Sequence, residues 1–217
     1  MVDQIRATQK VIDEPDVTAG FSRLMGRLLS AIPGHPPAVE VLVIDSADIN
    51  AFTLPGRVIC VDAGLVRALD SAQEMAAVLG HELGHVVNGD PLTLLARQLG
   101  IAAVLGAVSG GQGGALLSNM VQTIVNMHYG REAEDRADAF SVDLLARAGI
   151  PPDSFAAALT RIGATAHGHP GLLKYIDPHS PLDQRIERAR EQARREHVSP
   201  RALGVAWKKI VKALPRS

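Results

Sequence analysis

Cysteine is nearly absent: Cys60 stands alone among 217 residues. A single thiol excludes an internal disulfide and any zinc site built from cysteines, and it says little about compartment. Aromatic residues are also scarce, at 3%. Alanine and leucine are plentiful instead, which favours helix packed on helix with a minor β component. Neither sign of charge is in excess, since 22 basic and 23 acidic residues leave a formal charge of −1. That balance argues against a nucleic-acid binder, whose footprint is strongly basic. Long apolar runs are missing too. The most hydrophobic stretch, Leu99 to Val108, follows Arg97 and is broken by Ser109-Gly110-Gly111-Gln112-Gly113-Gly114. It is about half of the ~20 residues a bilayer requires, so no transmembrane segment is expected. Met1 to Lys10 lacks the basic start and apolar centre of a signal peptide.

What is present reads as one domain, long enough to bury a sizeable core. Residues 1–15 carry no periodic pattern and are expected as an extended or loosely docked arm ending at Pro15. Phe21, Leu24, Met25, Leu28 and Leu29 then recur at helical spacing until Ile32-Pro33-Gly34, with Arg23 and Arg27 on the wet side. Val39 to Ile44 reads as a strand, and Val58-Ile59-Cys60-Val61, after the Leu54-Pro55-Gly56 turn, as a second one in a small sheet. If Val58, Ile59, Cys60 and Val61 form an edge strand, their free backbone groups can pair with an extended peptide. An edge merely covered by a loop is the equal alternative.

Gly64 to Leu69 is a short helix, and residues 92–127 read as two helices around the glycine-rich Gly110 to Gly114 loop, a lid or a plain connection. Gly130 to Ala148 is a strong helix stopped by Gly149-Ile150-Pro151-Pro152. Asp153 to Ile162 is another. A charged helix over residues 182–197 starts near Ser180-Pro181, and residues 190–217 make a basic tail in which Leu203 to Leu214, with Trp207, reads as a docked helix.

One motif carries chemistry. His81-Glu82-Leu83-Gly84-His85 lies in the run Ala72 to Val87, a helix capped by Ser71 with Glu74 and stopped by Asn88-Gly89. At ~3.6 residues per turn, His81 and His85 point the same way and can grip one cation. Glu82 leans beside that cation, placed to take a proton from a polarised water. Chance yields such a pattern in about one chain in a hundred of this composition, so a third ligand is needed. Glu134 and Asp138, one turn apart on the Gly130 helix, supply the pair such a site requires: one carboxylate to ligate and one to hold an imidazole from behind. Glu132 and Asp135 point to other faces and read as surface charges. His35, His128, His167, His169 and His197 read as exposed.

Together, HELGH at 81–85, Glu134-Asp135-Arg136-Ala137-Asp138 and His179 to Arg185 resemble the zinc endopeptidases that include the CAAX prenyl proteases and the bacterial HtpX-like and BepA-like proteases. Asn50-Ala51-Phe52, Val58 to Val61 and Gly64-Leu65 also match that family's order, and the likeness spans roughly Asp16 to Ala189. Where the family has proline after its histidine, this chain has Ser180.

The resemblance implies a mostly helical α+β fold with a small sheet whose edge strand flanks the active site. It implies one Zn2+ held by His81, His85 and Glu134, with Glu82 as general base and Asp138 orienting an imidazole, that of His81. His179 and Arg185 are implied to face the substrate and stabilise the oxyanion. Protein or peptide substrates are implied as partners. The soluble relatives point to the periplasm or cell envelope, with the cytoplasm as the alternative in the absence of a signal. The rival function is a latent or non-catalytic zinc-bearing binding module with a plugged site.

Overall fold

The structure, a computed structural model, describes residues 2–100, 129–166 and 181–215. Its elements in chain order are α1 (Val2–Thr8), α2 (Pro15–Leu29), β1 (Glu40–Ile44), β2 (Ala51–Leu54), β3 (Val58–Asp62), α3 (Ala63–Ala68), α4 (Ala72–Asn88), α5 (Asp90–Leu99), α6 (Arg131–Ala148), α7 (Ser154–Ala166), α8 (Leu182–Ala193) and α9 (Trp207–Ala213). The fold is α+β and mainly helical. Among the described residues, no helix is long and apolar enough to cross a membrane. The Gly110 to Gly114 loop and His179 lie outside the described residues, as do His128, His167 and His169.

Helix α4 is the axis of the molecule. The Ser71 hydroxyl accepts from the amide of Glu74 at 3.2 Å, and the Glu74 carboxylate reaches back to the amide of Asp70 at 2.9 Å. At the other end Gly89, at φ 69°, takes the left-handed turn that closes the helix, a conformation glycine adopts without the steric cost a Cβ brings. Nearly every side chain between Ala72 and His85 is buried, so α4 is surrounded. It packs most extensively on α6. Gly80 and Gly84 permit that approach: a Cβ on Gly84 would lie 3.1 Å from the Ala137 Cα, and one on Gly80 would lie 2.9 Å from the Ser141 hydroxyl. Ser141 in turn donates to the Ala77 carbonyl at 2.7 Å.

The sheet has strand order β1-β3-β2, with β1 and β3 parallel and β2 and β3 antiparallel. Alternation along β3 serves both faces. Ile59 and Val61 join the main core with α2, α4, α6 and α7, while Val58 and Cys60 join a smaller cluster with Leu42, Ile44, Leu54, Ile5 and Leu95. This overturns the edge-strand assignment of Val58, Ile59, Cys60 and Val61. They form the central strand, hydrogen-bonded on both sides, and β2 is the strand beside α4. The reason is visible in the residues, because an uninterrupted β-branched run is what a strand buried on both faces needs, whereas a half-exposed edge alternates.

The opening arm also differs from expectation. Residues 2–8 are helical, Ile5 and Ile12 are buried, and Ile12 donates to the Val43 carbonyl at 2.8 Å. Residues 10–12 thereby line the outer side of β1, where Val11 bridges Ile44. Arg27, expected in water, is half-buried and donates through Nε to the Ala148 carbonyl at 2.7 Å. The tail docks as expected: Trp207 and Ile210 are buried against α2, and the indole N–H donates to the Leu69 carbonyl at 3.1 Å.

Candidate metal centre

Three side chains from two helices meet where α4 crosses α6. The Nε2 atoms of His81 and His85 lie 3.2 Å apart. Glu134, from the first turn of α6, places its carboxylate oxygens 3.6 Å from His81 Nε2 and 3.5 Å from His85 Nε2. These three form the His/Cys/Asp/Glu group suited to a metal ion among the described residues. Four ligands held ~2.0–2.1 Å from a tetrahedral zinc sit about 3.3–3.4 Å from one another, so the observed spacings fit that ion.

The outer shell explains which atoms face inward. Asp138 lies 2.9 Å from His81 Nδ1, and Asp90 lies 2.8 Å from His85 Nδ1. Each carboxylate pairs with the Nδ1 side of its imidazole and so turns Nε2 towards the shared centre. Two lone pairs and a carboxylate converging in a buried space repel unless a cation or a proton lies between them. Phe155 stacks on His81 with ring centroids 5.8 Å apart, and Tyr129 stacks on His85 at 4.0 Å.

Arg185 binds this set from behind. It is fully buried, donates to both oxygens of Asp138 at 2.8 and 2.7 Å, and reaches Glu134 at 3.2 Å. The expected role facing the oxyanion is therefore replaced by one of holding the carboxylates that hold the histidines. Arg136 serves Asp90 at 3.3 Å in the same way.

Glu82 is buried but stands apart from the metal-binding trio. Its Oε2 accepts from the Thr53 hydroxyl at 2.8 Å, and its own carbonyl lies 3.1 Å from the same oxygen. Thr53 projects from β2 on the face that Ala51 also presents, so the sheet steers this carboxylate. Tyr129 completes the link by donating to the Thr53 carbonyl at 3.4 Å.

Electrostatics follow from these pairings. Burial alone would raise Asp138, but the Arg185 charge and the His81 contact outweigh it and bring its pKa down to about 2. Glu134 is lowered in the same manner, against burial, by His85, His81 and Arg185. Burial disfavours charge on His85, yet Asp90, Glu134 and Glu82 more than compensate and raise its pKa to about 9 in the metal-free protein. Tyr129, buried and beside Glu82, Asp90 and Glu134, is pushed well above the usual phenol range and stays neutral.

The His85 shift has a measurable sign. A protonated imidazole cannot ligate, so zinc must displace a proton over the range in which His85 is charged. Apparent zinc affinity should rise about tenfold per pH unit between pH 6.5 and 8, as one proton per ion requires; a chelator-competition titration measures it.

The sequence reading missed Asp90, Thr53 and Tyr129. Asp90 is five residues beyond His85, a spacing that does not share a face on a continuous helix; the left-handed turn at Gly89 swings it back. Asp90→Ala is expected to weaken zinc binding roughly 10- to 100-fold, the usual cost of removing such a partner, while far-ultraviolet circular dichroism stays unchanged.

The sequence pattern of peptidase family M48 matches residues 13–193 of the chain. The chain belongs to peptidase family M48. Its relatives include the metalloproteases YcaL and LoiP of Escherichia coli, at 27% identity over 80% of this chain and 31% over 74%, respectively. Another is the beta-barrel assembly-enhancing protease of Yersinia pestis, at 24% identity over 93% of this chain. The chain spans 68%, 64% and 44% of those three proteins' own lengths. M48 proteins are zinc metallopeptidases, and His81, His85 and Glu134 are grouped here as a possible site for that ion.

Proposed function

We propose that the protein is an endopeptidase that hydrolyses peptide bonds in protein substrates, with His81, His85 and Glu134 holding zinc and Glu82 acting as general base. The observation that carries this reading is the division of labour at the centre: three donors converge at zinc-compatible spacing while a fourth buried group, Glu82, is drawn aside by Thr53. Zinc, when bound, supplies Lewis acidity that lowers the pKa of water to ~7 and polarises the substrate carbonyl.

Glu82 accepts the proton from the attacking water and then delivers it to the departing amine. Thr53 holds the carboxylate at the angle this requires. Asp138 and Asp90 keep both imidazoles in the tautomer that presents Nε2, and Arg185 fixes Asp138 and Glu134 together. His179 is assigned to the oxyanion by the family resemblance.

A peptide dye-labelled casein assay, with and without chelator, tests the reading against the rival of a zinc-bearing module that does not turn over. Cleavage that stops on chelation and returns with zinc is the expected result; zinc-loaded protein that leaves unfolded casein intact under all conditions sinks it. His179→Ala separates oxyanion stabilisation from plugging. Loss of one such donor costs on the order of 100-fold in kcat, whereas a plug predicts a gain. The reading extends to protein quality control in the cell envelope, supported by the relative named as a beta-barrel assembly-enhancing protease.

A further inference from the structure

Strand β2 keeps one side open beside Glu82. Asp62 donates to the Asn50 carbonyl at 3.0 Å, and opposed residues of an antiparallel pair alternate between those that exchange hydrogen bonds and those that do not. In the register Ala51↔Val61, Phe52↔Cys60, Thr53↔Ile59 and Leu54↔Val58, Asn50, Phe52 and Leu54 therefore turn their N–H and C=O groups towards β3. Ala51 and Thr53 turn theirs away. Among the described residues no backbone group answers them on that side. What meets it is a side chain: the Tyr129 hydroxyl donates to the Thr53 carbonyl at 3.4 Å, while the ring stacks on His85 with centroids 4.0 Å apart. The Thr53 hydroxyl touches the Glu82 carboxylate at 2.8 Å, so this outward carbonyl belongs to a residue in direct contact with the proposed base.

We propose that Tyr129 is a positioning residue for the substrate backbone: its hydroxyl keeps the Thr53 carbonyl occupied in the free enzyme and yields it to an amide of the incoming polypeptide. The proposal rests on Glu82 being the catalytic base. An unpaired strand edge recruits other extended chain, and a neighbouring strand lies about 4.8 Å out. A phenol oxygen 3.4 Å from the edge carbonyl stands within that distance, so the hydroxyl and a substrate strand compete for one place. Bond length decides which prevails. Backbone N–H···O bonds settle near ~2.9 Å, and a hydroxyl donor is ordinarily closer still, so the long Tyr129 bond is the weaker of the two. The stack on His85 involves the ring and not the oxygen, which separates the two contacts of this side chain: the ring covers a metal-binding imidazole and the hydroxyl guards the edge. Recognition at this carbonyl reads the peptide backbone. A segment that extends and offers a free N–H takes the place, and a proline or other N-alkylated residue there does not.

Tyr129→Phe removes the oxygen and leaves a ring that can still stack. The zinc-loaded variant is expected to cleave unfolded casein with KM about threefold lower than the parent, the low end of what one neutral hydrogen bond is worth, at unchanged kcat and zinc content. Unchanged KM overturns the proposal. So does a kcat lowered on the order of 100-fold, which would make the hydroxyl an oxyanion donor, or a loss of zinc, which would make it a support of the metal site. Binding is read without turnover, by fluorescence anisotropy, in zinc-loaded Glu82→Gln protein and in the same protein carrying Tyr129→Phe. The probes are two dye-labelled dodecapeptides of one casein sequence, one with every amide free and one N-methylated on two consecutive central residues, which blocks both edges of the strand. Loss of the hydroxyl should tighten Kd for the free-amide peptide about threefold and leave the N-methylated peptide unchanged. Equal tightening of both, or of neither, overturns the proposal. Parent protein that leaves casein intact while the free-amide peptide alone gains would sink the endopeptidase reading and leave the hold of Tyr129 on the edge supported.

Discussion

Glu82→Gln protein is expected to bind one zinc per chain as the parent does and to cleave casein more slowly by a factor on the order of 100 to 10,000, the range a positioned general base contributes. The amide keeps the volume and can still accept from the Thr53 hydroxyl, so the fold has no reason to change. What it loses is the ability to carry a proton from water to the leaving nitrogen. Thr53→Val probes the same group from the sheet side: it leaves a buried carboxylate oxygen short of a donor and should lower kcat by a smaller factor than Glu82→Gln. Zinc analysis beside kcat separates the two causes of inactivity. A Glu82→Gln variant that has lost its metal would mean that this carboxylate ligates, contrary to its separation from the trio.

Arg185→Met is expected to have the largest effect on the protein itself. The guanidinium is fully buried and answers two buried carboxylates, Asp138 and Glu134. Removing one member of such a group leaves uncompensated charge inside and typically costs about 3–5 kcal/mol, a melting-temperature fall of roughly 10 °C for a chain of this size. The sign of the pH dependence follows from Asp138. Its folded pKa lies near 2 against an ordinary 3.8, so the stability it adds is present above about pH 4 and is lost as pH falls towards 2. The variant should lose that acid-range dependence and melt with a flatter pH profile. Arg185→Lys supplies charge without the two-pronged geometry and is expected to restore part of the melting temperature but not the zinc affinity. Differential scanning fluorimetry from pH 2 to 8, with zinc titrations at neutral pH, reads both.

Periodicity and capping made most of the helical frame legible. Ser71, Glu74 and Gly89 bound α4 in sequence as they do in space, and Gly149 ends α6 with the same left-handed turn, at φ 69°. The metal trio was readable because i,i+4 geometry is local for His81 and His85, and because Glu134 and Asp138 occupy adjacent turns of one helix. What escaped depends on contacts between distant segments. Strand order is such a case: Val58 to Val61 looks alike as a central or an edge strand until its neighbours are known, although the unbroken apolar run favours the centre. β2, only four residues long, is too short to announce itself. Arg185 is another. A charged side chain in a helix rich in Arg and Glu reads as solvated, and only the crossing of α8 over α6 shows that this one arginine points inward while Arg188 reaches the exposed Asp135.

One cation between two helices underlies all of this chemistry. Zinc-edge anomalous diffraction from crystals of the zinc-loaded protein tests that most directly. The expected map has one strong peak about 2.0–2.2 Å from His81 Nε2, His85 Nε2 and a carboxylate oxygen of Glu134, with Glu82 beyond bonding distance. A peak coordinated by Glu82 in place of Glu134, or a metal lodged at other residues with this trio empty, would contradict it.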